Sequence, residues 1–263
     1  MQTGTYQKNM TLGSAIVDIL QMAKRTLIVL FKTPEKWFDI MFMPLIFMLM
    51  FTYLFGGAIS GDVKSYLPII VPGVFVQSMM SAASGAGTQL REDMETGVFD
   101  RFRSLPMARI APLAGLLVAD VVRYMISLSV SLGVGTIIGW RPEAGWGYAF
   151  VAILLVLLVT FAMSWIFALI GLLLKSASAV SSISQVLMMV LTFASGAFVP
   201  TSTMPKVLQH VVSLNPVNHL ITAFKEVANH GQFTGEVTWV LLVSVAMVVV
   251  IAPITVMIYN KNV

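Results

Sequence analysis

Cysteine is absent from this chain of 263 residues, which excludes disulfides and thiolate metal sites. Charge is also scarce, because Asp, Glu, Lys and Arg make up only 11% of the residues, against about 25% in an average soluble protein. A phosphate-binding loop is missing too: the nearest fragment, 171–176, lacks the second glycine of that motif. We therefore expect neither an enzyme nor a resident cofactor or metal. Any process that the chain drives must take its energy from a partner or from an ion gradient.

Hydrophobic residues are abundant instead, at 57% of the chain, and the mean hydropathy is +0.88. A membrane-spanning helix needs about 20 apolar residues, and six stretches of this sequence supply them. The predicted spans are about 38–58, 67–88, 110–138, 146–174, 177–199 and 237–259. The sequence therefore predicts an all-α membrane protein with six transmembrane helices.

Residues 11–33 are predicted to form an amphipathic helix ahead of the first span. Apolar residues recur there at steps of three and four, and the charged residues fall largely on the other side. Such a helix can lie in the membrane interface, and Pro34 ends it because proline cannot continue a helix interior. We therefore divide the chain into a cytoplasmic N-terminus with an interfacial helix, 1–36, and a transmembrane domain, 37–263.

The distribution of lysine and arginine predicts the orientation. With the N-terminus inside, eleven of these residues fall in cytoplasmic segments, four fall in external segments, and Arg123 lies within a span. Basic residues favour the cytoplasmic side of a membrane. Both termini are therefore predicted to be cytoplasmic.

The segment 91–106, between spans two and three, is a polar island. It carries seven charged residues in sixteen positions. A polar island in a membrane protein indicates contact with something in the water, where Phe99 and Phe102 would fill a groove and the charges would set the register. The alternative is a loop whose charges only fix the topology.

The segment 198–236 is too polar to span the membrane and too apolar to be a plain loop. We predict two short helices that dip into the outer leaflet and return, as a re-entrant hairpin before span six. Backbone at membrane depth must be buried in protein or face a watery cavity. The hairpin is therefore a candidate external gate, with Pro200, Asn215 and Pro216 as its key residues, and a plain packing element is an equal alternative.

Polar residues inside the predicted spans form two stripes. Gln77 and Ser81 lie on span two, and Gln185, Thr192 and Ser195 lie on span five. The stripes are candidates for the lining of a substrate path, but small polar residues also let helices pack closely and form hydrogen bonds.

Asp120 and Arg123 lie one turn apart within span three. Charges inside a membrane are costly and usually pair or mark function. The spacing predicts an ion pair within the helix. This pair is structural on one interpretation and is the basis of ion-coupled transport on another.

Four motifs in order carry a resemblance to the ABC-2 family of exporter permeases, and in particular to its daunorubicin-resistance type. They are Pro34 to Pro44 with 55–59, Glu95-Thr96-Gly97-Val98-Phe99-Asp100-Arg101 with 105–109, 195–200 with Met204-Pro205, and Leu214-Asn215-Pro216-Val217. Together they extend over nearly the whole chain. The family often has Thr-Leu-Glu after the glycine where this chain has Val98-Phe99-Asp100.

The resemblance implies that the island is a coupling helix that docks on a separate cytoplasmic ATPase, which binds ATP and Mg. The residues implied in that contact are Glu92, Glu95, Gly97, Phe99, Asp100, Arg101, Phe102 and Arg103. Two permeases, expected to be a homodimer, would pair with two ATPase subunits in the lipid of a bacterial plasma membrane, and no nucleic-acid partner is expected.

The expected function is export of an amphiphilic or hydrophobic substrate such as a drug, an antibiotic or a lipid. Polysaccharide export and ion-coupled secondary transport through Asp120 and Arg123 are the alternatives. A membrane serine protease is disfavoured, because Phe193 stands where such an enzyme needs glycine and no histidine lies in a predicted span.

Overall fold

The fold described by a computed structural model covers residues 12–98, 102 and 107–262. Within these ranges the regular structure is entirely helical, which confirms the predicted fold class. The α-helices are α1 (Leu12–Lys32), α2 (Pro34–Ser60), α3 (Val63–Glu95), α4 (Ala111–Ile138), α5 (Trp146–Leu173), α6 (Ala177–Phe193), α7 (Lys206–Ser213), α8 (Pro216–Lys225) and α9 (Gly235–Asn262). A 3₁₀ turn at Thr201–Thr203 precedes α7, and a π-helical turn at Glu226–His230 follows α8.

Five helices of the described ranges are long and apolar enough to cross a membrane: α2 from Ile40 onwards, α3, α4, α5 and α9. The fifth predicted span, 177–199, differs from the structure, because α6 ends at Phe193 after 17 residues. A helix of that length rises only about 25 Å, which is less than the ~30 Å of a typical hydrocarbon core. Residues 194–199 form a turn instead of a further helical turn.

Local chemistry explains several helix boundaries. Pro34 is the first residue of α2, and the backbone of Thr33 before it is extended, as the sequence predicts. The carboxylate of Asp62 accepts a hydrogen bond of 2.6 Å from the Ser65 backbone N–H at the start of α3. That bond lowers the pKa of Asp62. Ser176 caps α6 in the same way, through the backbone N–H of Ala179.

Helix α3 is the centre of the bundle. It contacts α2, α4, α5, α6 and α8, while α1 lies against α4, and α9 lies against α5 and α8. Within its most apolar window α3 is 72% buried, whereas α9 is only 11% buried. Among the five candidate spans of the described residues, α9 is therefore the least buried, and its exposed apolar side suits contact with lipid.

The bundle has two ends that differ in chemistry. The last turns of α3 and α5 and the first turns of α4 and α6 meet at one end, here called the charged end, which includes Arg91–Glu95. The turn after α6, helices α7 and α8 and the start of α9 lie at the other, here called the hairpin end.

Near the charged end, α3 and α5 touch backbone to backbone. A methyl group added at Gly171 would collide with the backbone of Gly87, and one added at Gly87 would collide with the carbonyl of Phe167. Such contact is possible only where both residues lack a side chain. The two glycines therefore fix the spacing of α3 and α5.

We expect Gly171→Ala to lower the free energy of unfolding by roughly 1–3 kcal/mol, because the added methyl group overpacks a closed contact. Gly133→Ala, in α4, is the matched control: nothing lies within 4 Å of its added methyl group. The control should leave stability unchanged or raise it by up to ~1 kcal/mol. Thermal unfolding in detergent, followed by tryptophan fluorescence, measures both, and equal midpoints would contradict the packing argument.

Candidate functional site

The charged end differs from its predicted form. Arg91 to Glu95, the first part of the predicted coupling helix 91–106, are the last residues of α3 rather than part of a separate helix. Thr96 caps α3 through the carbonyl of Glu92, and Gly97 turns the chain with a left-handed φ of 67°. Val98 and Phe102 are helical, and Phe99, Asp100, Arg101 and Arg103 lie outside the described residues.

An ion pair joins α1 to the end of α3. The guanidinium of Arg25 donates to both carboxylate oxygens of Asp93, at 3.0 and 3.3 Å, and Gln89 donates to the same carboxylate at 3.5 Å. The pair is partly buried, so water screens it less than a surface pair. Sequence reasoning placed Arg25 on a polar helix face and Asp93 in the island but did not pair them.

Phe102 lies within this junction. The carbon at the centre of the Arg25 guanidinium is 5.2 Å from the centre of the Phe102 ring, within the range of a cation–π contact. The ring also packs against the small apolar core that contains Leu90 and Leu113. Phe102, predicted as a side chain that reaches the partner, is therefore engaged inside this chain.

A second junction joins the end of α3 to the start of α6. The carboxylate of Glu95 accepts a hydrogen bond of 2.8 Å from the backbone N–H of Ala177. Arg91 donates to that carboxylate at 3.4 Å and to the carbonyl of Lys175 at 2.9 Å. On the α1 side, Asp18 accepts from the backbone N–H of Ala108 at 3.1 Å, just before α4. The end of α3 is thus bonded to the start of α6, and the middle of α1 is bonded both to the end of α3 and to the residues just before α4.

At the hairpin end, one side chain serves two helices. The amide nitrogen of Asn215 donates to the carbonyls of Leu191 and Ala194, at the end of α6. Its amide oxygen accepts from the backbone N–H of Val217 at 2.9 Å, at the start of α8. Pro216 is the first residue of α8, a position that proline favours. Asn215 therefore ends one helix and begins the next.

Two further side chains of α8 hold the turn after α6. The amide oxygen of Asn218 accepts from the backbone N–H of Gly196 at 2.9 Å, and the ammonium of Lys225 donates to the carbonyl of the same residue at 2.9 Å. On the other side, the hydroxyl of Tyr66 in α3 donates to the carbonyl of Phe198 at 2.7 Å. The turn is therefore a clamped element of the bundle.

Lys225 is largely buried, and burial lowers its pKa to about 8, because the interior disfavours its charged form. The apolar residues around Lys225 in the sequence indicate that this lysine is buried. From the sequence alone it was included only among the basic residues of external segments.

The two short helices of the hairpin differ in burial. The apolar residues Leu220, Ile221 and Phe224 of α8 are buried in the main core. In α7, by contrast, Val207 and Leu208 are exposed. Two short helices are found where two were predicted, and only α7 presents its apolar side to the surroundings. Pro200 caps the 3₁₀ turn that leads into α7.

His219 connects α8 to the start of α9. One ring nitrogen lies 2.6 Å from a carboxylate oxygen of Glu236, the other lies 2.8 Å from the carbonyl of Ser213, and the ring lies against Trp239 at a tilt of 35°. Sequence reasoning had not assigned a role to this pair.

The predicted polar stripes do not stay on one surface. Gln185 and Ser81 are exposed, Gln77 is partly buried, and Thr192 and Ser195 are buried. Ser195 donates to the carbonyl of Thr192, so both belong to the end of α6. Of the three α6 residues in the predicted stripe, Gln185 is therefore the one that is exposed.

Asp120 and Arg123 form an ion pair of 2.9 Å within α4, with side chains 1% and 8% exposed. A methyl group at Gly85 in α3 would collide with the guanidinium, so that glycine makes room for it. A buried pair of this kind is costly to break and not necessarily stabilising.

These features define a multi-pass integral membrane protein with polar junctions at both ends of a helical bundle. Residues 17–228 match the family model of the ABC-2 type transporter, and the chain belongs to that family. Permeases of this family are transport components that work with cytoplasmic ATPase subunits.

Three relatives illustrate the match. The daunorubicin resistance ABC transporter permease protein DrrB1 of Streptomyces coeruleorubidus is 41% identical over 230 residues, which cover 87% of this chain and 81% of the relative. The doxorubicin resistance permease DrrB of Mycobacterium tuberculosis H37Rv is 35% identical over 136 residues, 49% of this chain and 47% of the relative. The probable doxorubicin resistance permease DrrC of the same strain is 22% identical over 213 residues, 80% and 76% of the two chains.

Lys225 generates a prediction for the pH dependence of stability. Its pKa is about 8 in the fold against an ordinary value of 10.5. Between these values the unfolded chain binds a proton that the fold does not, so stability should rise as pH increases from about 8 to about 10.5. Below pH 8 the lysine is protonated in both states and should contribute no slope.

Lys225→Met should remove that rise, and Lys206→Met, at an exposed position of the same hairpin, should keep it. Unfolding midpoints in detergent across this pH range test the assignment. Parallel curves for wild type and Lys225→Met would contradict it.

Proposed function

We propose that this chain is the membrane-spanning subunit of an ATP-driven exporter for amphiphilic or hydrophobic compounds, and that a separate ATPase supplies its energy. Two copies of the chain would form a homodimer and bind two ATPase subunits at the charged end. ATP-driven closure of the ATPases would push on the segment 91–106, and the helices joined there would tilt and open a path outward below the hairpin.

The observation that carries this proposal is the set of polar contacts that join other helices to the charged end of α3. α1 is tied to α3 through Arg25 and Asp93, and α6 is tied to α3 through Glu95. A push from the aqueous side at this point therefore reaches several helices at once. Such an arrangement suits a permease that borrows its motion from a partner.

The proposed topology keeps six spans and both termini in the cytoplasm. Helix α6, the turn at 194–199 and the clamps from α8 together would complete the fifth crossing. The exposed apolar side of α7 supports insertion of the hairpin into the outer leaflet. The excess of basic residues at the charged end favours a cytoplasmic position for that end.

The proposed substrate class rests on the printed names of the relatives, which are daunorubicin and doxorubicin resistance permeases. Both drugs join an apolar ring system to a polar sugar. An exposed face of α6 with Gln185 among apolar residues such as Val186 and Met189 offers the same combination of surfaces. Daunorubicin is therefore the first probe to use.

The first experiment purifies the chain from its native membrane in mild detergent and identifies what accompanies it. We expect a cytoplasmic protein with a phosphate-binding loop in equal amount. Phe99→Ala and Arg101→Ala should reduce its recovery without loss of the permease, because these side chains are proposed to contact the ATPase. Transport that persists without any ATPase would favour the rival function, ion coupling through Asp120 and Arg123.

We expect Gln185→Leu to change the ratio of export rates for amphiphilic compounds, such as daunorubicin against a less polar dye, without a change in the unfolding midpoint. The matched control is Gln21→Leu, an exposed position of α1, which should change neither property. Export assays in inverted vesicles provide the ratios. Unchanged ratios in Gln185→Leu would remove α6 from the substrate path.

A further inference from the structure

The first turn of α6 has no acidic side chain of its own to stabilise the helix N-terminus. Backbone N–H groups give a helix N-terminus a partial positive charge, and acidic residues in the first turn stabilise it. α6 has no acidic residue there, and Ser176 satisfies only the backbone N–H of Ala179.

A residue of another helix supplies the charge. The carboxylate of Glu95, at the end of α3, accepts from the backbone N–H of Ala177, the first residue of α6. Arg91 holds that carboxylate in place and also bonds the carbonyl of Lys175, just before α6. The side chains of Arg91 and Glu95 are 20% and 38% exposed, so both remain partly covered.

Two acidic residues near the end of α3 therefore hold different helices. Asp93 binds Arg25 of α1, and Glu95 binds the start of α6. Below them, the contact between Gly87 and Gly171 fixes α3 to α5. The first turn of α6 also packs against α3 through Val180, which is fully buried beside Gly87, and the Glu95 bond adds a polar contact at the helix start.

We infer that Glu95 is a positioning residue that ties the first turn of α6 to the end of α3, so that a displacement of the end of α3 moves α6. The inference rests on the proposed function. It differs from the docking role that the resemblance implies for Glu95, because the partner of its carboxylate here is the backbone of this same chain.

A positioning role and a purely structural role predict different rescues. Ser176 caps α6, and Ala179 occupies the third position of the helix, so Ala179→Glu completes a capping box on α6 itself. That substitution returns negative charge to the helix start but makes no bond to α3. Stability and coupling can therefore be separated in one set of variants.

The test reconstitutes the permease and its co-purified ATPase in vesicles and measures daunorubicin transported per ATP hydrolysed. Glu95→Ala should lower this ratio by about two- to fivefold, the range that corresponds to one charge at a helix terminus. Glu95→Gln, which keeps an acceptor oxygen, should lie between Glu95→Ala and wild type. Glu143→Ala, at an exposed acid of the opposite end, should match wild type, and ATPase binding should be retained in all three.

In the double variant Glu95→Ala with Ala179→Glu, we expect the unfolding midpoint to recover while transport per ATP stays low. Recovery of both properties would show that Glu95 only stabilises α6 and would overturn the inference. Wild-type coupling in Glu95→Ala would overturn it as well.

Loss of ATPase binding in Glu95→Ala would reassign the residue to docking and leave the proposed function intact. A wild-type chain without an ATPase partner would instead refute the proposed function itself.

A covalent test addresses the same contact independently, because it replaces the hydrogen bond of Glu95 by a bridge of fixed length. Because the chain has no cysteine, Glu95→Cys combined with Ala177→Cys creates one unique pair of thiols. A short reagent that bridges them should restore transport per ATP relative to the unbridged pair, since the two helix ends move together. Transport blocked by the bridge would show that the ends must separate and would overturn the inference.

Discussion

Helix ends impose the constraint on which the rest of this fold depends. Each end leaves backbone N–H or C=O groups without intrahelical partners, and hydrocarbon supplies none. Helix α6 shows how this chain meets the constraint: Glu95 of α3 binds its first residue, and Asn215 binds the carbonyls of its last turn. Both side chains belong to other elements, so α6 is complete only when α3 and the hairpin are in place. A short apolar helix thereby becomes the physical connection between the charged end and the hairpin end.

The helices themselves were predictable, because hydropathy and periodicity depend on neighbours along the chain. The amphipathic helix predicted at 11–33 is present as α1, and the break at Pro34 is correct. The errors fall at α3 and α6, where hydropathy is a poor guide to helix length. α3 continues to Glu95 because its charged residues bind α1 and α6 instead of facing lipid. α6 stops at Phe193 although the following residues are apolar, because Asn215 takes its carbonyls.

The candidate site was harder to predict, because its contacts join residues far apart in the sequence. Arg25 and Asp93 are 68 positions apart, and Glu95 and Ala177 are 82 apart. The residue types were visible, but nothing in one sequence pairs them. The pair of Asp120 and Arg123 lies within one turn of a single helix, so its geometry could be derived from spacing alone. The polar stripe on α6 was predictable only in part. Its helical period is visible in the sequence, but the burial of Thr192 and Ser195 depends on the distant hairpin.

The double role of Asn215 has a consequence for how this family member can vary. Asn215, Asn218 and Lys225 reach the end of α6 and its turn from one face of α8, at helical spacing. One residue inserted between Asn215 and Lys225 would rotate the later contacts by about 100° away from the turn. The contacts of Asn215, Asn218 and Lys225 do not depend on the number of residues between the turn and Asn215, a stretch that includes the exposed helix α7. Insertions are therefore tolerable ahead of Asn215 but not immediately after it, so the surface of the hairpin end can diversify while the clamp beneath it keeps a fixed length.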